Sequence, residues 1–151
     1  MFTQYQFVTL KNKLLIIVLF QLASCSSKLE KIPVDRFIGT WELKGRAMFS
    51  GIVIEINRDG NGQFIGRIKK LNDNKYVQMF AEEGDTWISE ISRSSNFQFK
   101  ITEKKIGREL FGLYGLSSSS VYKAEFIDNN TIGISNKSDP SQSAVTYERI
   151  K

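Results

Sequence analysis

Alternation of apolar and polar residues begins at Phe37 and recurs through most of the remaining chain. Residues 52–56 carry isoleucine at every second position, and residues 97–101 repeat the pattern with phenylalanine and isoleucine. Successive side chains of a β-strand point to opposite faces, so a period of two predicts strands with one buried face. No stretch shows a convincing helical period. The sequence therefore predicts an all-β fold.

Turn signals separate these alternating runs at similar intervals. Residues 59–62 read Asp-Gly-Asn-Gly, which predicts a hairpin between strands at residues 52–56 and 64–68. Many short antiparallel strands favour a closed barrel or a sandwich, and closure removes exposed strand edges. Further strands are expected at residues 37–43, 76–81, 86–93, 97–101, 122–126, 132–136 and 145–149. Residues 110–116 are a candidate additional strand, and a flap over a cavity mouth is the alternative for this stretch.

The N-terminal segment has the features of a secretory signal. Lys11 and Lys13 precede an apolar run at residues 14–20, which is about half of the ~20 residues needed to span a bilayer. The sequence Leu22-Ala23-Ser24-Cys25 follows and resembles the lipobox of bacterial lipoproteins. The resemblance implies lipidation of Cys25 and cleavage before it. A soluble cleaved protein and an uncut signal anchor are the alternatives.

These features predict three segments. Residues 1–24 form a lipoprotein signal peptide, residues 25–35 a tether, and residues 36–151 one β-barrel domain. The 127 residues that remain after cleavage are enough for one domain with its own core. The expected location is the bacterial cell envelope, outside the cytoplasm, held by a lipid anchor. An outer membrane is expected where the host has one, because Ser26 and Ser27 provide no acidic retention signal.

Composition narrows the chemistry that the domain can carry. The chain has no histidine, and its one cysteine is assigned to the anchor. Ser-His-Asp and Cys-His catalysis, thiolate metal sites and intrachain disulfides are therefore excluded. No carboxylate pair stands out, so no catalytic residue, metal ligand or cofactor is predicted. Cleavage removes Lys11 and Lys13 and leaves a net charge of +3, which does not indicate a nucleic-acid partner.

The two ends of the predicted domain carry a further resemblance. Residues 37–41 read Phe-Ile-Gly-Thr-Trp and residues 147–149 read Tyr-Glu-Arg. This pairing resembles the calycin superfamily of lipocalins, fatty-acid-binding proteins and avidins. The resemblance implies a lipocalin-like, antiparallel up-and-down barrel of 8–10 strands. It also implies structural roles for Gly39, Trp41 and Arg149, with the indole plugging one end and the guanidinium covering it.

A barrel of this size is either filled by side chains or holds one small ligand, and both options stay open. The candidate ligand-binding residues lie on predicted inward faces: Ile54, Phe64, Phe99, Tyr122 and Tyr147. Core packing is the alternative role for each of them. Apolar walls with two hydroxyl groups suit a hydrophobic molecule that is neutral or weakly acidic. Its entry is expected at the end away from Trp41, near residues 45–50, 71–75 and 110–116.

Three functions compete at this point. The preferred one is a membrane-anchored lipoprotein that binds a small hydrophobic ligand in the barrel. The second is a protein-interaction lipoprotein, such as a hydrolase inhibitor or an envelope assembly factor, acting through residues 112–120. An enzyme using carboxylates or tyrosines is the third and is not expected. The sequence does not predict the oligomeric state.

Overall fold

The computed structural model of this chain describes residues 31–150. The predicted signal peptide and Cys25 lie outside the described residues. Eight strands form a closed barrel in which chain neighbours pair antiparallel and the last strand pairs with the first. The strands are β1 (Gly39–Lys44), β2 (Val53–Arg58), β3 (Phe64–Lys70), β4 (Thr86–Arg93), β5 (Gln98–Lys104), β6 (Ser119–Phe126), β7 (Thr131–Ser135) and β8 (Thr146–Arg149). The predicted all-β, up-and-down barrel is confirmed.

The β2–β3 hairpin forms where the turn signal predicts it. The Asp59 carboxylate accepts hydrogen bonds from the backbone N–H groups of Asn61 and Gln63, at 2.9 and 2.8 Å. Gly62 has a φ of +78°, a conformation that glycine adopts without steric cost. These local interactions set the register that buries Ile54 and Ile56.

Closure joins the two termini of the domain. Trp41 in β1 lies opposite Arg149 in β8, and Leu43 lies opposite Tyr147. Trp41, Leu43 and Tyr147 are fully buried. The first and last strands of the domain, whose residues carry the calycin resemblance, are therefore paired with each other, as a closed barrel requires.

Two segments that were predicted as strands are short helices. Residues 76–81 fall mainly in α1 (Lys75–Phe80), and residues 110–116 overlap α2 (Arg108–Leu113). The side chain of Asn74 caps α1 by accepting from the N–H groups of Tyr76 and Val77. The expectation of no helix was wrong for both segments. In α1 this cap outweighs the β-propensity of Tyr76, Val77 and Phe80, whereas α2 follows Gly107 and has no side-chain cap. Across residues 31–150, no helix has both the length and the hydropathy to cross a bilayer.

Three 3₁₀ turns complete the domain, at Val34–Phe37, Ala47–Phe49 and Pro140–Gln142. Just before the first turn, the Ile32 N–H donates to the carbonyl of Asn96 at 3.1 Å, and the Ile32 side chain packs against the core. The final residues of the predicted tether, from Ile32 onward, are thus attached to the barrel.

The order of strands gives the barrel two distinct ends. The closed end holds the Val34–Phe37 turn and the β2–β3, β4–β5 and β6–β7 connections. The helical end holds the other connections, including α1 between β3 and β4 and α2 between β5 and β6. Ile32 is bonded to the β4–β5 connection at the closed end, so α1 and α2 lie at the end of the barrel opposite to Ile32.

Candidate functional site

The barrel interior is packed with side chains. The largest fully buried ones are Trp41, Tyr147, Phe37, Phe99, Leu43, Ile52, Ile54, Ile56, Ile88, Ile101, Ile132 and Ile134. Within residues 31–150, every buried side-chain nitrogen and oxygen has a hydrogen-bond partner. An interior of this kind leaves no unsatisfied polar group to hold a ligand inside the barrel.

The closed end is sealed by Trp41 and Arg149. The indole Nε1–H donates to the carbonyl of Phe37 at 2.7 Å, and the Arg149 guanidinium carbon lies 4.1 Å from the indole ring centroid. Arg149 also donates to the carbonyl of Ile38 at 2.9 Å. A Cβ on Gly39 would overlap a guanidinium nitrogen of Arg149 in its present position, and the φ of +136° at Gly39 also favours glycine. Both side chains therefore stabilise this end.

Three more arginines cover aromatic rings at the closed end, which the sequence did not reveal. The pairs are Arg36 with Phe126 at 4.5 Å, Arg58 with Phe64 at 4.2 Å, and Arg93 with Phe99 at 4.8 Å. Each distance runs from the guanidinium carbon to the ring centroid and is within cation–π range. These contacts shield the rings at the closed end from water.

A buried polar network lies below the opposite, helical end. The indole N–H of Trp87 donates to the Tyr147 hydroxyl at 2.7 Å, and that hydroxyl donates to Glu103 Oε1 at 2.5 Å. Arg46 completes the network with an ion pair to the other Glu103 oxygen, also at 2.5 Å. Glu103 is only 3% exposed. Glu103 lies two residues after Ile101 and therefore on the same inward face of β5. The alternation in the sequence could have predicted that Glu103 is buried.

Protonation in this network follows from burial and charge. Burial, reinforced by the adjacent Glu103 carboxylate, raises the pKa of Tyr147 well above its usual value near 10. Burial lowers the pKa of Arg46, but the charge of Glu103 and its hydrogen bond raise that pKa by more. The Tyr147 contribution to stability is present below about pH 10 and is lost as the pH rises further, because the unfolded chain releases that proton first.

None of the cavities described for residues 31–150 is lined by any of the five predicted ligand-binding residues. Ile54, Phe64, Phe99 and Tyr147 are buried in the core. Tyr122 is half-buried, and the Arg46 guanidinium carbon lies 4.6 Å from its ring centroid. The Tyr147 hydroxyl is already bonded to both Trp87 and Glu103. All five side chains are on inward faces, which agrees with a role in core packing. A ligand-binding role for these residues stays a prediction.

The β1–β2 connection closes the barrel at the helical end. The Phe49 ring packs 5.7 Å from the Trp87 ring, measured between centroids. The Asn72 side-chain amide donates to the carbonyls of Met48 and Ser50, at 2.7 and 2.8 Å. The three stretches expected around the mouth all belong to connections at this end, and residues 45–50 contact Asn72, but residues 45–52 cover the interior. Any site at this end therefore lies outside the barrel.

Both helices turn apolar residues toward solvent. The exposed residues are Tyr76, Met79 and Phe80 on α1, and Leu110, Leu113 and Tyr114 on α2 or directly after it. Each triplet has i, i+3, i+4 spacing, which places its members on one helix face, and each residue is between 50% and 80% exposed. Such a face normally packs against the core. Instead, α1 buries only Val77 and α2 buries no residue. We call the two triplets together the outer apolar face.

Two adjoining cavities lie between the helices and form what we call the α1–α2 groove. They have volumes of about 430 and 320 Å³ and share Phe80, Ile106, Gly107 and Leu110. The larger cavity also has a polar wall that includes Glu82, Asp85, Lys104, Lys105 and Arg108. The smaller cavity is completed by Phe111, Tyr114 and Leu116. Both volumes fall in the range of small-molecule sites.

Comparison with known protein families, curated proteins and solved structures found no match for this chain. The eight-stranded antiparallel barrel is consistent with the calycin resemblance. Among residues 31–150, no three carboxylates, histidines or cysteines are placed to hold a metal ion. Since fold alone does not define function, the function must be argued from the helical end.

Proposed function

We propose that this chain is a membrane-anchored, extracytoplasmic lipoprotein that binds a small hydrophobic ligand in the α1–α2 groove. The filled barrel acts as the scaffold. The observation that carries the proposal is the 320 Å³ cavity outside the barrel, walled by Phe80, Ile106, Leu110, Phe111, Tyr114 and Leu116. The proposed binding site thus moves from the interior of the barrel to its helical end.

Apolar area would supply most of the binding free energy. Covering on the order of 200 Å² of apolar surface contributes about 5 kcal/mol. A gain of this size corresponds to a dissociation constant of roughly 0.2 mM, and loss of ligand freedom offsets part of it, so the affinity for a small ligand is limited to about the millimolar range. The polar wall carries both signs, with Glu82 and Asp85 facing the same cavity as Lys104 and Lys105. It therefore does not require a ligand of one particular charge.

Protein interaction is the second candidate, and one specific observation favours it. Leu113 lies outside the walls of both cavities and is 80% exposed. A small ligand in the groove would leave it in water. A hydrolase inhibitor or an envelope assembly factor would use such a projecting residue directly. The absence of catalytic activity stays a prediction under both proposals.

A pair of variants on α2 tests the groove. Leu110→Asn should weaken binding of the neutral fluorescent dye N-phenyl-1-naphthylamine at least about tenfold, because Leu110 lines both cavities. Leu113→Asn is the matched control and should change the dissociation constant less than about twofold. Fluorescence titration measures both, and circular dichroism checks the fold. If the unmodified protein binds no dye, or if Leu110→Asn binds as well as it does, the ligand proposal fails.

The anchor is tested at Cys25, which the structure does not describe. Cys25→Ala should abolish incorporation of radiolabelled palmitate and leave the precursor unprocessed on a gel. Ser26→Ala, one residue along, should incorporate the label normally. Palmitate labelling of the Cys25→Ala protein at the normal level would contradict the anchor. An anchor at Cys25 would hold the domain near the bilayer, because the chain from there to Ile32 reaches at most about 25 Å.

A further inference from the structure

We infer that the outer apolar face is the docking surface for a second copy of this chain. In the resulting two-fold dimer, α1 of each copy packs against α2 of the other. This inference goes beyond ligand binding, because the docking surface consists of protein side chains alone and needs no ligand in the groove. It rests on three properties of the helical end: its apolar area, its charge distribution and its position relative to the N-terminal chain.

The apolar area is of the size that a dimer needs. A fully exposed aromatic side chain offers about 150–250 Å² for burial, so Tyr76, Phe80 and Tyr114 together expose roughly 300–500 Å². The three aliphatic members of the face (Met79, Leu110 and Leu113), together with the adjoining Leu116, bring the apolar surface to the order of 800 Å². A stable interface typically buries about 800 Å² on each partner. Monomeric proteins seldom leave an apolar patch of this size exposed.

The charges around the groove are self-complementary. Glu82 and Asp85 follow α1, whereas Lys104, Lys105 and Arg108 precede or begin α2. Arg108 pairs with the neighbouring Glu109 at 3.1 Å, so Lys104 and Lys105 supply the net positive charge of the α2 wall. Among the described ion pairs, none joins these two sets within 4 Å in one copy. A two-fold axis along the groove would bring the acidic wall of each copy onto the basic wall of the other. The same rotation stacks the α1 triplet on the α2 triplet.

The position of this surface is compatible with anchoring. Ile32, to which the chain from Cys25 leads, is bonded at the closed end, and the outer apolar face lies at the opposite end. Lipid anchor and dimer interface therefore do not compete for one surface.

Crosslinking of the intact lipoprotein tests this arrangement. Two epitope-tagged copies are expressed together, one with Tyr76→Cys and the other with Leu113→Cys. Lipidation occupies Cys25, the chain's one native cysteine, so a short bismaleimide reacts only at the introduced positions. The expected product is a dimer carrying both tags. The control pair, Asn61→Cys at the closed end with Leu113→Cys, should give at least about tenfold less.

Charge reversal then tests the two-fold arrangement. Lys105→Glu in the Leu113→Cys copy should reduce the crosslinked dimer at least about fivefold, and Glu82→Lys in the Tyr76→Cys copy should restore it. No dimer, equal crosslinking of the control pair, or capture of a different protein would overturn the inference, as would insensitivity to both charge changes. Dye binding without a dimer would overturn this inference alone, and a dimer without dye binding would overturn the ligand proposal alone.

Discussion

Replacing Trp41 with alanine should lower the free energy of unfolding by about 3–5 kcal/mol, as truncations of buried aromatic residues do. The indole is fully buried, its N–H is bonded to Phe37, and its face is covered by Arg149. The alanine variant would leave a cavity at the closed end and remove the surface on which Arg149 rests. Urea denaturation followed by circular dichroism measures the loss.

Tyr114→Ala is the matched control for this measurement. Tyr114 is 80% exposed in one copy, so its truncation should change the free energy of unfolding of the monomer, measured at dilution, by no more than about 0.5 kcal/mol. A Trp41→Ala protein that unfolds at the same urea concentration as the unmodified protein would show that Trp41 does not plug the barrel. Comparison of the two variants shows whether the loss of stability comes from removing a buried side chain or only from removing a large one.

Replacing Arg46 with methionine should cost about 3–5 kcal/mol, because the buried Glu103 carboxylate would lose its counter-charge. The side chain of Glu103 is 4% exposed and that of Arg46 is 16% exposed, so water cannot fully replace the ion pair. Methionine keeps much of the apolar contact that the arginine stem makes. Urea denaturation at pH 7 gives the difference directly.

A second substitution separates the charge from the packing. In the double variant Arg46→Met and Glu103→Gln, no buried charge is left, and the glutamine oxygen can still accept from the Tyr147 hydroxyl. This variant should recover most of the lost stability. Equal losses in the single and double variants would show that Arg46 stabilises the barrel through packing rather than through its charge.

The sequence predicted the strands because alternation extends over whole elements. Burial of Ile54, Ile56, Phe99 and Ile101 follows from a period of two that the structure keeps. The same alternation places Glu103 on the inward face of β5. A buried carboxylate needs a partner, and the sequence does not identify that partner. Arg46 comes from a connection 57 residues earlier, and only barrel closure brings the two together.

The candidate site could not be predicted because short helices form it. α1 and α2 have six residues each, which is below the length at which periodicity separates a helix from a strand. In α1, the Asn74 cap decided the outcome, while Tyr, Val and Phe favoured a strand. Whether eight strands enclose a cavity depends on the summed volume of all inward side chains, which only three-dimensional packing settles.

Methyl NMR with an apolar probe tests most directly whether ligands bind outside a filled barrel. The protein, labelled at isoleucine and leucine methyl groups, is titrated with N-phenyl-1-naphthylamine. A groove site predicts chemical-shift changes at Ile106, Leu110 and Leu116, which line the α1–α2 groove. The methyl groups of the interior, including those of Ile54 and Ile101, should not shift. Saturable shifts at Ile54 and Ile101, with none at Leu110, would contradict the filled barrel and return the binding site to its interior.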